Sequence, residues 1–333
     1  MKNKIRLSIL DQSIIPQGKN AKEAVEETIF TARFADALGY HRFWLSEHHN
    51  SSSVGGSVPE VLLARIGNET SFIRIGSGGV MLPNHSALKV AESFRMLEVL
   101  YPGRVDLGIG RAPGGDRITA ALLNPSNNFS EESYLTQLDY LQLFFRDMAE
   151  TQYGKIIAIP QSESIPQQWI LSSTGGSAAI ASRYGMGLAI AKFINGNVSP
   201  SIVEAYKENF TYKLNLEKPE ILVAIFVICS DSETRANELR KLYHYMLAKF
   251  EKGQFEKLPS YDQIEDYAFD DFELAAIERN KGKVISGTPA RVKEELMQLA
   301  KDFSADEIMI STATHSFEER RKSFELIMRE WKK

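Results

Sequence analysis

The chain has 333 residues, 43% hydrophobic and 25% charged, enough for a large core in one or two domains. Its 39 basic and 43 acidic residues nearly cancel to a net charge of −4, and without a Lys/Arg block there is no case for a nucleic-acid partner. The single cysteine, Cys229, excludes an intrachain disulfide and a thiolate metal cluster; within "VAIFVIC" it reads as a small buried hydrophobe.

Short apolar runs alternate with longer amphipathic ones. "IRLSIL" (5–10) is a first strand, and residues 21–38 place Val25, Ile29, Ala32, Ala35 and Leu38 on one helix face, stopped by Gly39. "RFWL" (42–45) is the second strand, with a helix near 59–70. "IRIGSGGVML" (73–82) holds the third, followed by a helix over 87–100 that Pro102-Gly103 closes. "VDLGIG" (105–110) is the fourth strand, and a helix follows at 131–149.

Beyond a Pro/Gln/Ser-rich loop, "QWILSS" (168–173) is the fifth strand and 177–184 a helix. "GLAIA" (187–191) is the sixth, with a helix near 200–214. "EILVAIFVIC" (220–229) is the seventh, with a helix from Ser232 to about Phe250. A charged, aromatic stretch, 253–283, breaks the alternation and reads as an insertion after strand seven. The helix 288–301 leads to the eighth strand, "DEIMIST" (306–312), and a last helix over 317–331. Eight strands, each trailed by a helix, predict a single (β/α)8 TIM barrel with insertions in its βα loops.

Catalytic groups in such barrels stand where strands end and βα loops begin. "FWLSEHHN" puts Glu47, His48, His49 and Asn50 there on strand two. Adjacent residues on an extended chain point apart, and no HxH or HExxH spacing occurs, so a metal pair is disfavoured. A histidine there either hydrogen-bonds the barrel rim or acts as a general acid/base, titrating near neutrality.

After strand five, "LSSTGGSAAIA" supplies hydroxyls from Ser172, Ser173, Thr174 and Ser177. Gly175 and Gly176 allow close backbone approach, and a helix start lies behind them. An ordinary N-cap needs fewer such residues, so the stretch suits a phosphate. Arg111, from "GIGRAPGGD", could add a bidentate contact, or else form a surface salt bridge. Neither GxGxxG in a strand–helix setting nor GxxxxGK[ST] is present, which argues against a Rossmann or P-loop site.

Together, "FWLSEHHN", "GSGGVMLPNHSALKVAE", "YPGRVDLGIGRAPG", "LSSTGGSAAIA" and "GTPARVKEEL", in this order over nearly the whole chain, resemble the bacterial luciferase-like flavin-dependent monooxygenases. The resemblance implies FMN at the strand C-terminal ends and His48 as the catalytic histidine. It implies a non-prolyl cis peptide at Gly78-Gly79 under the flavin ring, and phosphate contacts from Arg111, Ser173, Thr174 and the Gly175–Ser177 turn. Glu47 is placed at the cofactor, and His49, Asn50 and His85 at the substrate. Luciferases carry a reactive cysteine at Gly110 and a glutamate at Ser172, so light emission is not implied.

The implied reaction uses reduced FMN and molecular oxygen to oxygenate a small organic substrate through a C4a-peroxyflavin. A separate flavin reductase supplies the reduced cofactor, and a homodimer is implied by the family alone. Alternatives are a flavin-binding barrel without turnover, a deazaflavin-dependent oxidoreductase and a metal-dependent hydrolase. The start of the chain, "MKNKIRLSILDQS", lacks a signal-peptide pattern and no run is long enough to span a membrane, so a cytoplasmic protein is expected. The insertion 253–283 and the loop 151–167 either cover the barrel mouth or are solvated connections.

Overall fold

A computed structural model describes residues 5–152, 154–212 and 216–333. Strand β1 (Arg6–Asp11) is followed by helix α1 (Ala21–Leu38), which starts on an Asn20–Glu23 capping box and stops at Gly39 with φ 82°. The sequence dictates both ends: Asn20 accepts from the Glu23 amide, and glycine takes the left-handed stop without steric cost. The repeat continues with β2 (Arg42–Leu45), α2 (Pro59–Glu69), β3 (Arg74–Met81), α3 (Ala87–Leu100) and β4 (Val105–Gly110).

After β4 come α4 (Arg117–Leu123), α5 (Glu131–Phe145) and a small hairpin, β5 (Ala149–Thr151) with β6 (Gly154–Ile156). Neither α4 nor the hairpin was expected. The helix read over 131–149 stops at Phe145 because Asp147 takes φ 57° and turns the chain into β5. Then follow β7 (Gln167–Ser172), α6 (Gly176–Tyr184), β8 (Gly187–Ala191), α7 (Ser201–Glu208) and β9 (Ile221–Cys229). The helix expected over 200–214 ends at Glu208, and residues 213–214 of it lie outside the described residues.

Between β9 and α10 (Pro289–Asp302) lie α8 (Glu233–Glu251), α9 (Asp271–Asn280) and β10 (Val284–Gly287). Helices α8 and α10 both pack against β9, and α10 also against β11 (Glu307–Ser311), so the excursion from the alternation lies between the two helices, at 253–283 and β10. Strand β10, also unexpected, pairs with Phe226–Cys229. Leu258 and Ile264 pack with Leu242 and with Ile14, just past β1, and the Gln17 amide donates to the Leu258 carbonyl at 2.9 Å. The excursion therefore lies at the C-terminal ends of the strands. Of the loop 151–167, for which cover and solvated connection were both open, residues 158–164 run along α3, where Arg95 donates to the Ala158 carbonyl at 2.6 Å and Ser164 Oγ donates to Glu98 Oε1 at 2.6 Å.

Helix α11 (Phe317–Trp331) ends the chain. The parallel strands β11, β1, β2, β3, β4, β7, β8 and β9 close on one another through β8–β9 and β9–β11, giving the (β/α)8 barrel. Leu10, Trp44, Trp169, Ala189, Leu222, Ala224 and Met309 fill its interior, while the larger apolar layer joins strands to helices. Trp44 and Trp169 meet edge to face at 5.7 Å, as core aromatics.

Charge seals the other end of the barrel. Arg42 is 1% exposed; it reaches Asp106 Oδ1 at 2.8 Å and both Glu307 oxygens at 3.0 Å, over the Trp169 ring. Trp44 Nε1 donates to Asp106 Oδ2 at 3.0 Å, so each buried carboxylate is hydrogen-bonded as well as paired. Among the described residues, no helix is long and apolar enough to cross a membrane, and no grouping of His, Cys, Asp and Glu could hold a metal.

Candidate active site

The parallel register brings the ends of β2, β3, β4, β7 and β8 to one face of the barrel, around a cavity of about 390 Å³. That volume lies within the roughly 300–1,000 Å³ usual for small-molecule sites. Glu47 and His48 border it from β2, Gly78 and Met81 from β3, and Arg111 from β4. Leu171, Ser172, Ser173, Thr174 and Ser177 close the side of β7, and Phe193 the side of β8.

Glu47 is 2% exposed, yet both its oxygens are used. Oε1 accepts from Nε2 of His49 and of His85, each at 2.9 Å, and Oε2 from the Met81 amide at 2.9 Å. Burial alone would raise its pKa; the bonds from His85, His49 and Met81 outweigh that and hold it below the usual carboxylate value. His85 is shifted upward, chiefly by its bond to Glu47 and against its own burial.

The extended backbone turns the adjacent imidazoles apart, as expected. His48 borders the cavity, while His49 reaches back to Glu47. Burial, and secondarily His49, lowers the His48 pKa, with Glu47 pulling the other way. His48 is thus neutral at pH 7 and can accept a proton.

His49, Asn50 and His85, expected at the substrate, do not border this cavity. His49 and His85 are held by Glu47, and Asn50 (φ 51°) donates through Nδ2 to Asp116 Oδ2 at 2.7 Å. Asn50 and His48 do share a neighbouring polar recess with Ser51, Ser52 and Ser57.

Gly78-Gly79 is cis, and Gly78 lies on the cavity wall. A Cβ at Gly79 would come within 2.4 Å of Leu171 Cδ1 and 2.6 Å of the Gly108 carbonyl, so a bulkier residue does not fit there. At Gly110 a Cβ would meet Met81 Cε at 2.6 Å; the space a cysteine would need is taken by methionine. Met81 was missed in the sequence because its role rests on its amide and on its packing over Gly110. Phe193, two residues past β8, could have been found from its place at a strand end.

At the start of α6, Gly175 takes φ 93° and no side chain caps the helix. Ser172 Oγ instead accepts from the Gly175 amide at 3.2 Å, shaping the turn. Ser173, Thr174, Ser177 and Arg111 border the cavity and bring hydroxyl and guanidinium donors that suit an anion, whereas Gly175 and Gly176, expected at the phosphate, do not border it. Tyr134, 2% exposed and close enough to Arg111 to feel its charge, has a hydroxyl with no hydrogen-bond partner among the described residues.

The family model for luciferase-like monooxygenases matches residues 5–307. The chain belongs to the luciferase-like monooxygenase family. This luciferase-like chain is 33% identical to the N-acetyl-S-alkylcysteine monooxygenase of Bacillus subtilis, over 97% of both chains. The crystal structure of apo-MsnO8 superposes with a TM-score of 0.91 at 30% identity, covering 98% of each chain. The oxygenase component of a flavin-dependent trigonelline monooxygenase from Acinetobacter baylyi is 24% identical, over 69% of this chain and 67% of its own. Membership of the family supports a monooxygenase role for the luciferase-like barrel.

Proposed function

We propose that the chain is an FMN-dependent monooxygenase that uses reduced FMN and molecular oxygen to oxygenate a small organic substrate. The observation that carries the reading is one cavity bordered at once by Ser173, Thr174 and Ser177 of the β7–α6 turn, by Arg111, by Gly78 and by His48. The residues present fit FMN. Arg111, Ser173, Thr174 and Ser177 would hold its phosphate, and Gly78-Gly79 would lie under its ring. Bound in reduced form, the flavin supplies the electrons that let one oxygen atom enter the substrate while the other leaves as water.

His48 accepts and returns protons at the reacting centre. Glu47 keeps the Met81 segment and both neighbouring imidazoles in place beside it. The apolar wall of Leu171 and Phe193 keeps water from the reacting atoms. The sequence holds no nicotinamide motif, and one relative is named as an oxygenase component, so a separate reductase supplies the reduced flavin in this reading. The B. subtilis relative makes alkyl thioethers the first substrates to try.

A homodimer also belongs to the reading. A groove along α2 and α3 exposes Val61 (67%), Met96 (49%), Leu100 (51%) and nearby Ile159 (64%), an apolar face that a second copy would cover. An intracellular setting, where reduced flavin is supplied, completes it.

The test is flavin-fluorescence quenching, followed by turnover of N-acetyl-S-alkylcysteines with photoreduced FMN and labelled oxygen. Incorporation of one labelled atom supports the proposal. No association with either redox form of FMN, alongside tight binding of a deazaflavin, overturns it.

A further inference from the structure

Arg111 borders the cavity together with the hydroxyls of the β7–α6 turn, yet its Nη1 donates to Glu131 Oε2 at 2.8 Å. We infer that Glu131 competes with the flavin phosphate for Arg111, and thereby keeps FMN an exchangeable co-substrate instead of a fixed prosthetic group. The inference rests on the FMN reading above.

The competing carboxylate does not depend on Arg111 for its place. Glu131 is the first residue of α5, after the capping Ser130, and an acid in a first helical turn is favoured by the unpaired amides and the helix dipole. When the arginine turns to a phosphate, Glu131 therefore remains nearby as an uncompensated negative charge. The pair is weak enough to yield: its side chains are 39% and 64% exposed, and exposed ion pairs contribute little.

A dianion held by several donors thus wins, but against both a lost partner and a like charge. Weakened retention suits an oxygenase that takes reduced flavin from another protein and returns it oxidised. Glu131 is not among the residues that border the cavity, so its effect passes through Arg111 and not through the ring site.

Riboflavin, which has the ring but no phosphate, separates this effect from any change in the ring site. Dissociation constants for FMN and riboflavin are measured by fluorescence quenching on wild type, Glu131→Gln, Arg111→Gln and the double variant, with thermal melts as a folding control. Glu131→Gln is expected to bind FMN about 2- to 5-fold tighter, with riboflavin unchanged. Arg111→Gln is expected to loosen FMN towards riboflavin and to abolish the gain in the double variant. Unchanged or weaker FMN binding by Glu131→Gln overturns the inference while leaving the function standing. Equal tightening of both ligands overturns it too, since the effect would then not pass through the phosphate. A wild type that binds no FMN in either redox state sinks the proposed function, and this inference with it.

Discussion

Glu47 and His85, 38 residues apart in the chain, meet at 2.9 Å beneath the candidate active site. Their bond ties the end of β2 to the segment after β3, and the Met81 amide adds a second tie from the same carboxylate. Every partner of Glu47 named here is a donor, so only an acceptor with two well-used oxygens satisfies the site.

Glu47→Gln brings an amide donor among those donors. Hydrogen bonds to a charged group contribute roughly 1.5–3 kcal/mol each, so a loss of about 3 kcal/mol in unfolding free energy is expected by urea titration. The pH dependence has two limbs. The Glu47 share is full above its unfolded value of 4.5 and is lost as pH falls through its lowered folded pKa. The His85 share is full below 6.5 and is lost as pH rises through its raised folded pKa. The variant should flatten both limbs; an unchanged stability–pH curve would deny Glu47 this role.

His48→Ala should lower turnover by about 10²- to 10⁴-fold, the usual contribution of a positioned acid/base, and leave FMN binding within threefold or so. The wild-type acid limb should fall below pH 6.5, because burial lowers the His48 pKa and the neutral ring is the active form. Steady-state kinetics from pH 5 to 8 read both, and full activity in the variant would remove His48 from the chemistry.

Arg42→Met should destabilise the barrel without touching the cavity. It removes the most deeply buried partner of Asp106 and Glu307, both 0% exposed, while Arg74 and Trp44 still serve the first and Arg6 and Ser8 the second, so the loss is expected near the lower end of the about 3–5 kcal/mol that breaking a buried ion pair from one side costs. Denaturant melts measure the loss. A change under about 1 kcal/mol would mean the carboxylates are satisfied without the arginine.

The groove on α2 and α3 predicts a dimer by sedimentation equilibrium. Val61→Glu with Met96→Glu should return the chain to monomers at the same concentration, since two charges on that face oppose its burial. A monomeric wild type would contradict the expectation of self-association.

Much of the architecture was readable from punctuation and period. Asn20 and Gly39 bound α1, "PG" at 102–103 closes α3, and the eight barrel strands fall within a residue or two of their apolar runs. Strand β10 escaped because "VISG" is short and becomes a strand only by pairing with the far end of β9. The hairpin at 149–156 escaped for a similar reason: its pairing is a contact between its own two arms, with no apolar period to announce it.

The sequence alone determined the alternation of strand and helix, and so which residues stand at strand ends. It did so because helix and strand periods, caps and glycine stops are local properties of the chain. Tertiary structure decided the rest: that His48 faces the cavity while His49 and His85 converge on Glu47, that Met81 fills the space over Gly110, and that Arg111 rests on Glu131. Those relations depend on closing the barrel, which sets side chains tens of residues apart within hydrogen-bonding distance. No local pattern records such distances.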